Sequence, residues 1–185
     1  MFIFVALLLA HAPVGGSMPQ GRAPGAQSAA FSLGGVAYFH RFTKGDQREY
    51  TPQGQEDLNA WTDMVTLHAY RNVRDGEALA ATANAVLETY RANKALILKT
   101  DSVPRTATRP AEHLIVAVFP RPEFIEVAFA RFRMDGGIGT AAIHSHRVYG
   151  KQAGDEMQAW LEKNGRATET TLMGWNAIPR AGAAR

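Results

Sequence analysis

Cysteine is missing from all 185 residues. Disulfides, thiolate metal sites and cysteine nucleophiles are therefore excluded. A domain of roughly 150 residues buries enough surface to fold without such staples, so the absence does not argue against export. An excess of one charge on the domain is missing too. Arg22, Arg180 and Arg185 supply the whole formal net charge of +3, and from Phe31 to Pro179 basic and acidic residues balance, 17 against 17. Arg131, Arg133 and Arg147 are interleaved with Glu123, Glu126 and Asp135. A nucleic-acid binder carries a basic patch on its folded part, so no nucleic-acid partner is expected. The chain also lacks a Gly-x-Ser-x-Gly elbow, a Walker loop, a dinucleotide fingerprint and a His-Glu-x-x-His pair, which removes the best-marked catalytic classes.

What is present is an ordinary globular composition, 46% hydrophobic and 20% charged, which excludes disorder over most of the length. Phe2 to Ala10 is an apolar run of nine residues. That is far short of the ~20 needed to span a bilayer as a helix, and no transmembrane span is expected in the mature chain. The run matches the hydrophobic region of a signal peptide, although no Lys or Arg precedes it. A buried N-terminal strand is the rival reading. Ala10-His11-Ala12 offers a cleavage site but is followed by Pro13. Gly15-Gly16-Ser17 and the Ala26 to Ala30 stretch are alternatives. With no cysteine after the run, a lipoprotein anchor is excluded. The expected organisation is a signal peptide over 1–17, a flexible Gly/Pro/Ala/Ser linker over 18–35, one α+β domain over 36–179, and a loose tail over 180–185.

Within the domain, Val36 to Thr43 and Arg48 to Thr51 read as a hairpin around Lys44-Gly45-Asp46. Thr51-Pro52 offers a helix start, and a short helix through Glu56 to Leu58 is expected. Thr62 to Tyr70 alternates as a strand. Asp75 can cap a helix whose apolar stripe is Leu79, Ala83, Val86, Leu87 and Tyr90, with Val86 and Leu87 in the core. Ala95 to Lys99 is a short strand, followed by a loop from Ser102 to Pro110. Glu112 to Phe119, Phe124 to Met134 and Ile138 to Tyr149 are strands joined by Pro120-Arg121-Pro122 and by Asp135-Gly136-Gly137. A second helix carries Ala153, Met157, Trp160 and Leu161, and Asn164-Gly165 is expected to end it. The order is β-β-(short α)-β-α-β-β-β-β-α. The fold class expected is α+β: a central antiparallel sheet of about six strands flanked by two main helices, an α/β/α sandwich.

This order, from Val36 to Gly165, resembles the PsbP/Mog1-like α/β/α sandwich, found in thylakoid-lumen, bacterial-envelope and Ran-binding proteins. The segment Tyr50-Thr51-Pro52-Gln53-Gly54-Gln55-Glu56-Asp57-Leu58, with Trp61-Thr62-Asp63-Met64, resembles the opening of a family of uncharacterised exported bacterial proteins. The resemblance implies a binding or assembly role by analogy. It supplies no diagnostic motif, and no site residue is carried over from it.

His144-Ser145-His146 is the sharpest chemical pattern. Strand parity puts both imidazoles on one face, about 7 Å apart, as two of the three protein ligands a catalytic zinc needs. The third would be His40, His68, His113 or a carboxylate. If Gly136-Gly137 is the turn, Phe129 and Val127 lie opposite the two histidines, and neither can coordinate a metal. The same register pairs Glu126 with Arg147 on the other face, a common structural ion pair worth well under ~1 kcal/mol when exposed. Arg131, Arg133 and Lys151 could form an anion site; a solvated strand end is the plainer reading. No serine in the Ser102 loop has a visible base. Trp61, Trp160 and Trp175 could build an aromatic groove, though packing is the plainer role for those in patterned segments.

The function expected is a non-catalytic exported protein, periplasmic or extracellular, that binds a protein partner or small ligand. The candidate ligand-binding residues are His144, His146, Arg131, Arg133 and Tyr149; no catalytic residue, metal or cofactor is expected. The alternatives are a metal-assisted hydrolase using the strand histidines, and a factor whose basic tail touches anionic surfaces.

Overall fold

The computed structural model describes residues 28–179. The segment read as a signal peptide, most of the stretch read as a linker and the last six residues lie outside them. Eight strands form one antiparallel sheet: β1 (Phe31–Leu33), β2 (Val36–Lys44), β3 (Gln47–Pro52), β4 (Asp63–Tyr70), β5 (Leu96–Val103), β6 (Glu112–Pro120), β7 (Phe124–Asp135) and β8 (Ile138–Tyr149). Two helices accompany them, α1 (Gly76–Ala92) and α2 (Ala153–Gly174). The sheet order is β1-β2-β3-β4-β8-β7-β6-β5.

The expected α+β class with about six strands is thereby corrected to an eight-stranded, mostly β architecture. The extra length comes from both edges. Phe31–Leu33, inside the stretch read as linker, pairs with Val36–Tyr38. β5 runs on to Val103, through residues read as the start of a loop, because β6 pairs with it along its length. The short helix expected through Glu56 to Leu58 is absent: that segment is turns. Pro52 stays in β3, and the Gln55 side chain accepts from the backbone amides of Thr62 and Asp63, both at 2.8 Å. This fixes the loop that leads into β4.

Period-2 alternation sorts each central strand onto two faces. Leu114, Val116 and Val118 of β6, with Val127 and Phe129 of β7, pack with Met157 and Leu172 of α2. Ile115, Ala117 and Phe119, with Ala128, Ala130 and Phe132, pack with Leu79, Ala83, Val86 and Tyr90 of α1. The two helices thus cover opposite faces. Asp75 caps α1 by accepting from the Ala78 amide at 2.8 Å. Val86 is core, whereas Leu87 is only half-buried at the rim of the cluster. α2 does not stop at Asn164-Gly165. Asn164 turns its Nδ2 back to the Trp160 carbonyl at 3.0 Å, and the helix continues to bury Leu172. Among the described residues no helix is long and apolar enough to cross a membrane.

Two glycine sites have steric reasons. Gly136 and Gly137 have φ of +58° and +80°, as a two-residue turn between right-twisted strands requires. Gly139 opens β8 where the β4–α1 connection crosses it, and its amide donates to the Val73 carbonyl at 2.8 Å. A Cβ there would stand 2.6 Å from Val73 Cγ1 and 2.8 Å from Val73 Cβ. Gly139→Ala should therefore cost about 1–3 kcal/mol by overpacking, read from chemical denaturation. A change under ~0.5 kcal/mol would show that the connection yields freely.

Candidate functional site

The β7–β8 register is the one expected from the turn: His144 lies opposite Phe129, His146 opposite Val127, and Arg147 opposite Glu126. On the other side β4 sets Val65 beside His144 and Asp63 beside His146. His144 is buried on the α2 face, and its Nδ1 has no hydrogen-bond partner. Burial pushes its pKa down to about 4, against the opposing pull of Asp63. His146 is held from two sides. Its Nδ1 lies 2.9 Å from Asp63 Oδ1, and its ring stacks on Trp160 of α2 at 4.1 Å with planes 9° apart. Burial pushes Asp63 upward, but the hydrogen bond and charge of His146 outweigh it and hold the carboxyl below its usual range. The two imidazoles are thus packed under a helix, one without a partner at Nδ1 and one held between Asp63 and Trp160. Among the described residues no group of three or more His, Asp or Glu side chains is arranged to hold a metal ion.

Arg131 is not at a solvated strand end. It is 1% exposed, with Nη2 2.6 Å and Nε 2.8 Å from Glu112 Oε2. Its Nη1 donates to the carbonyls of Leu172 and Trp175, both at 2.8 Å. The Leu172 carbonyl also accepts the Trp175 amide at 3.2 Å, and Trp175 is the cap residue of α2, so the guanidinium binds the C-terminal end of the helix. Arg133 reaches Asn176 Oδ1 at 3.4 Å. Lys151 sits beyond Tyr149, whereas Arg131 and Arg133 lie beside Ala142 and Thr140 near the other end of β8. The three cations are not brought together.

The Glu126–Arg147 pair is buried rather than exposed, at 2.9 Å. The Arg147 guanidinium lies over the Trp61 ring at 3.8 Å and the Phe124 ring at 4.2 Å. Tyr149 donates from its hydroxyl to the Trp61 carbonyl at 2.8 Å, which seats the indole on the arginine. Trp61 and Trp175 are core, and Trp160 is the platform for His146. The tryptophans do not line a common groove.

A cleft does exist elsewhere. Between α1 and the β5 edge runs an open groove of about 340 Å³. Ala83, Asn84 and Leu87 form one wall; Thr100, Ser102, His113 and Ile115 form the floor. Ser102 and His113 are register partners, and Ser102 Oγ lies 2.9 Å from His113 Nδ1. Sequence reading left Ser102 in a loop and so missed this pairing; the signal was the alternation of β6, which puts His113 and Ile115 on one face. Burial pushes the His113 imidazole below its ordinary pKa, so it is neutral at pH 7. His113 Nε2 is buried without a hydrogen-bond partner, so no carboxylate orients the ring as a general base requires. Asp101, at the groove margin, is engaged by Lys99 at 3.3 Å and by the Ser102 amide at 2.8 Å. The floor is therefore hydroxyl, amide and imidazole over aliphatic walls.

The described residues define an antiparallel-sheet protein with a helix on each face and a polar-floored groove at one edge. No protein-family model matches the chain, and no curated protein matches it. Among solved structures it is similar to a mutant of the protein Mog1, at 13% identity over 79% of this chain and 90% of that one, with a TM-score of 0.48. It is also similar to the Saccharomyces cerevisiae Ran-binding protein Mog1p, at 14% identity over 74% and 81%, with a TM-score of 0.43. Similarity at this level carries neither site residues nor function across.

The buried His144 sets a pH dependence. Its folded pKa lies below the unfolded value near 6.5, so between those values the unfolded chain binds more protons. Its stabilising contribution is complete above pH 6.5 and is lost as pH falls toward 4. The slope should reach about 1.4 kcal/mol per pH unit. His144→Phe should remove about one proton from the uptake measured by unfolding titrations across that window. An unchanged slope would place His144 in a solvated setting.

Proposed function

We propose that the chain is a non-catalytic exported protein whose ligand site is the groove between α1 and β5. The observation that carries this reading is the groove itself: an open cleft of about 340 Å³ floored by a neutral Ser102–His113 pair. Pockets of this kind bind through apolar walls and a few convergent polar groups. Ala83, Leu87 and Ile115 supply the apolar contact; Asn84, Thr100, Ser102 and His113 supply donors and acceptors. With the imidazole neutral and Asp101 already paired, the ligand favoured is a small neutral molecule with one hydroxyl or amide end and an apolar body. A partner's serine, threonine or asparagine side chain has the same chemistry. Catalysis is not favoured, because the serine's base lacks an orienting partner.

Titration with N-methylacetamide and with cyclohexanol tests the site. Amide chemical shifts should move at Ala83, Thr100, Ser102 and His113, and Asn84→Trp, which fills the exposed wall, should suppress them. Shifts scattered over the surface, or none, would remove the groove from consideration.

Export rests on the apolar run from Phe2 to Ala10, which suits a signal better than a core strand. Mass spectrometry of the natively produced protein should find a new N-terminus between Pro13 and Phe31. Recovery from the cytoplasm with Met1 to Ala10 attached would contradict it.

A further inference from the structure

β5 is the long open edge of the sheet. It is hydrogen-bonded only to β6, and the opposite edge, β1, has just three residues. Along β5 the side chains from Leu98 to Ser102 are all exposed, and Leu96 and Leu98 are 60% and 52% exposed. An edge of this kind presents unpaired backbone donors and acceptors to another strand.

The charges on this edge have an arrangement that selects the partner. Lys99 and Asp101 flank Thr100 on the α2 face, where Lys99 also meets Glu169 at 2.7 Å. We propose that a second copy of this chain pairs antiparallel along β5, about a two-fold axis through Thr100. In that register Lys99 of each copy stands opposite Asp101 of the other on either side of Thr100, and the regular pairing begins at Lys99, because a bulge between Ile97 and Lys99 interrupts the alternation before it. Opposite charges directly across an antiparallel pair stabilise it, and like charges oppose it. Moving the axis to Lys99 sets lysine against lysine; moving it to Asp101 sets aspartate against aspartate. Only the Thr100 axis matches both charges at once. The contact is isologous and closes at two copies.

The axis is perpendicular to the sheet, so each face keeps its side. Both α1 helices fall on one face, and the Thr100–Ser102–His113 floors of the two copies run together across the axis. Two half-open grooves become one continuous groove bounded by two helices. The pairing rests on the edge and its charges, not on the ligand reading: a monomer that still binds amide probes in its groove would overturn the dimer alone.

Sedimentation equilibrium at roughly 0.1 mM, where a pairing of modest affinity is populated, reads the outcome. Wild-type protein should sediment at twice the chain mass. Lys99→Asp and Asp101→Lys should each be monomeric alone, since each sets like charges opposite one another. An equimolar mixture of the two variants should form a one-to-one dimer, and both substitutions in one chain should restore the homodimer. Circular dichroism should be unchanged throughout, because both side chains are about half exposed (43% and 57%). A monomeric wild type, single variants that dimerise like wild type, or a mixture that stays monomeric would each overturn the proposal.

Discussion

The position of α2 depends on one buried guanidinium. Arg131 stands on β7, pairs with Glu112 on β6, and donates to the carbonyls of Leu172 and Trp175 at the C-terminal end of α2. Burying a charge is costly unless it is paired and hydrogen-bonded, and here the pairing closes on both sides. α2 carries no basic residue in its own last turn, so the sheet supplies the donor that helix C-termini usually find locally. The carboxylate supplies the countercharge. Removing one partner of such a pair typically costs about 3–5 kcal/mol, because the other is left buried and alone. This bond also sets the run of α2 that stacks Trp160 on His146.

The opposite face is organised by small residues. Ala117, Ala128, Ala130 and Ala141 form the sheet surface under α1, with Ala83 facing them from the helix. Short side chains let a helix approach closely, and Ile115, Phe119 and Phe132 fill the space around them. Tyr90 of the helix meets Phe119 edge-on at 4.9 Å. Beyond the alanines the sheet continues to β5, where Ile97 still packs at the rim of the α1 cluster but Thr100 and Ser102 are exposed. The groove is the space left where the helix is narrow and the sheet is wide.

Much of this was legible in the sequence, and the limits are physical. The Gly136-Gly137 turn fixes the β7–β8 register, so the neighbours of His144, His146 and Arg147 could be read directly. Asp75 and the Leu79 stripe marked α1 for the same reason: the determinants are local. What failed was non-local. The end of α2 is decided by Arg131, forty-odd positions away in the chain, which no capping rule at Asn164-Gly165 can anticipate. β5 reaches Val103 only because β6 returns beside it across an intervening loop. Three residues at Phe31 carry too little pattern to distinguish a strand from a linker. Burial, not residue type, determines which cations and imidazoles are open to a ligand, and the burial of Arg131 and His144 is set by the same non-local packing.

Chemistry-bearing side chains in this fold therefore divide by location. Under α2 and Trp61, the arginines and histidines satisfy helix ends, carboxylates and aromatic faces; their chemistry is committed to folding. Glu126 illustrates the cost, since burial pushes its pKa up despite the facing Arg147. At the β5 edge, polar side chains lie at the open margin of the helices, and the strand is exposed from Leu98 to Ser102. The Ser102 and His113 side chains bond to each other, and Thr100 is exposed. A ligand arriving there displaces solvent rather than a structural contact, so binding need not break the interactions that hold the sheet and helices together. In a domain with balanced charge and no disulfides, the interior polar groups are committed to the fold, and the proposed recognition falls to the margin they do not reach.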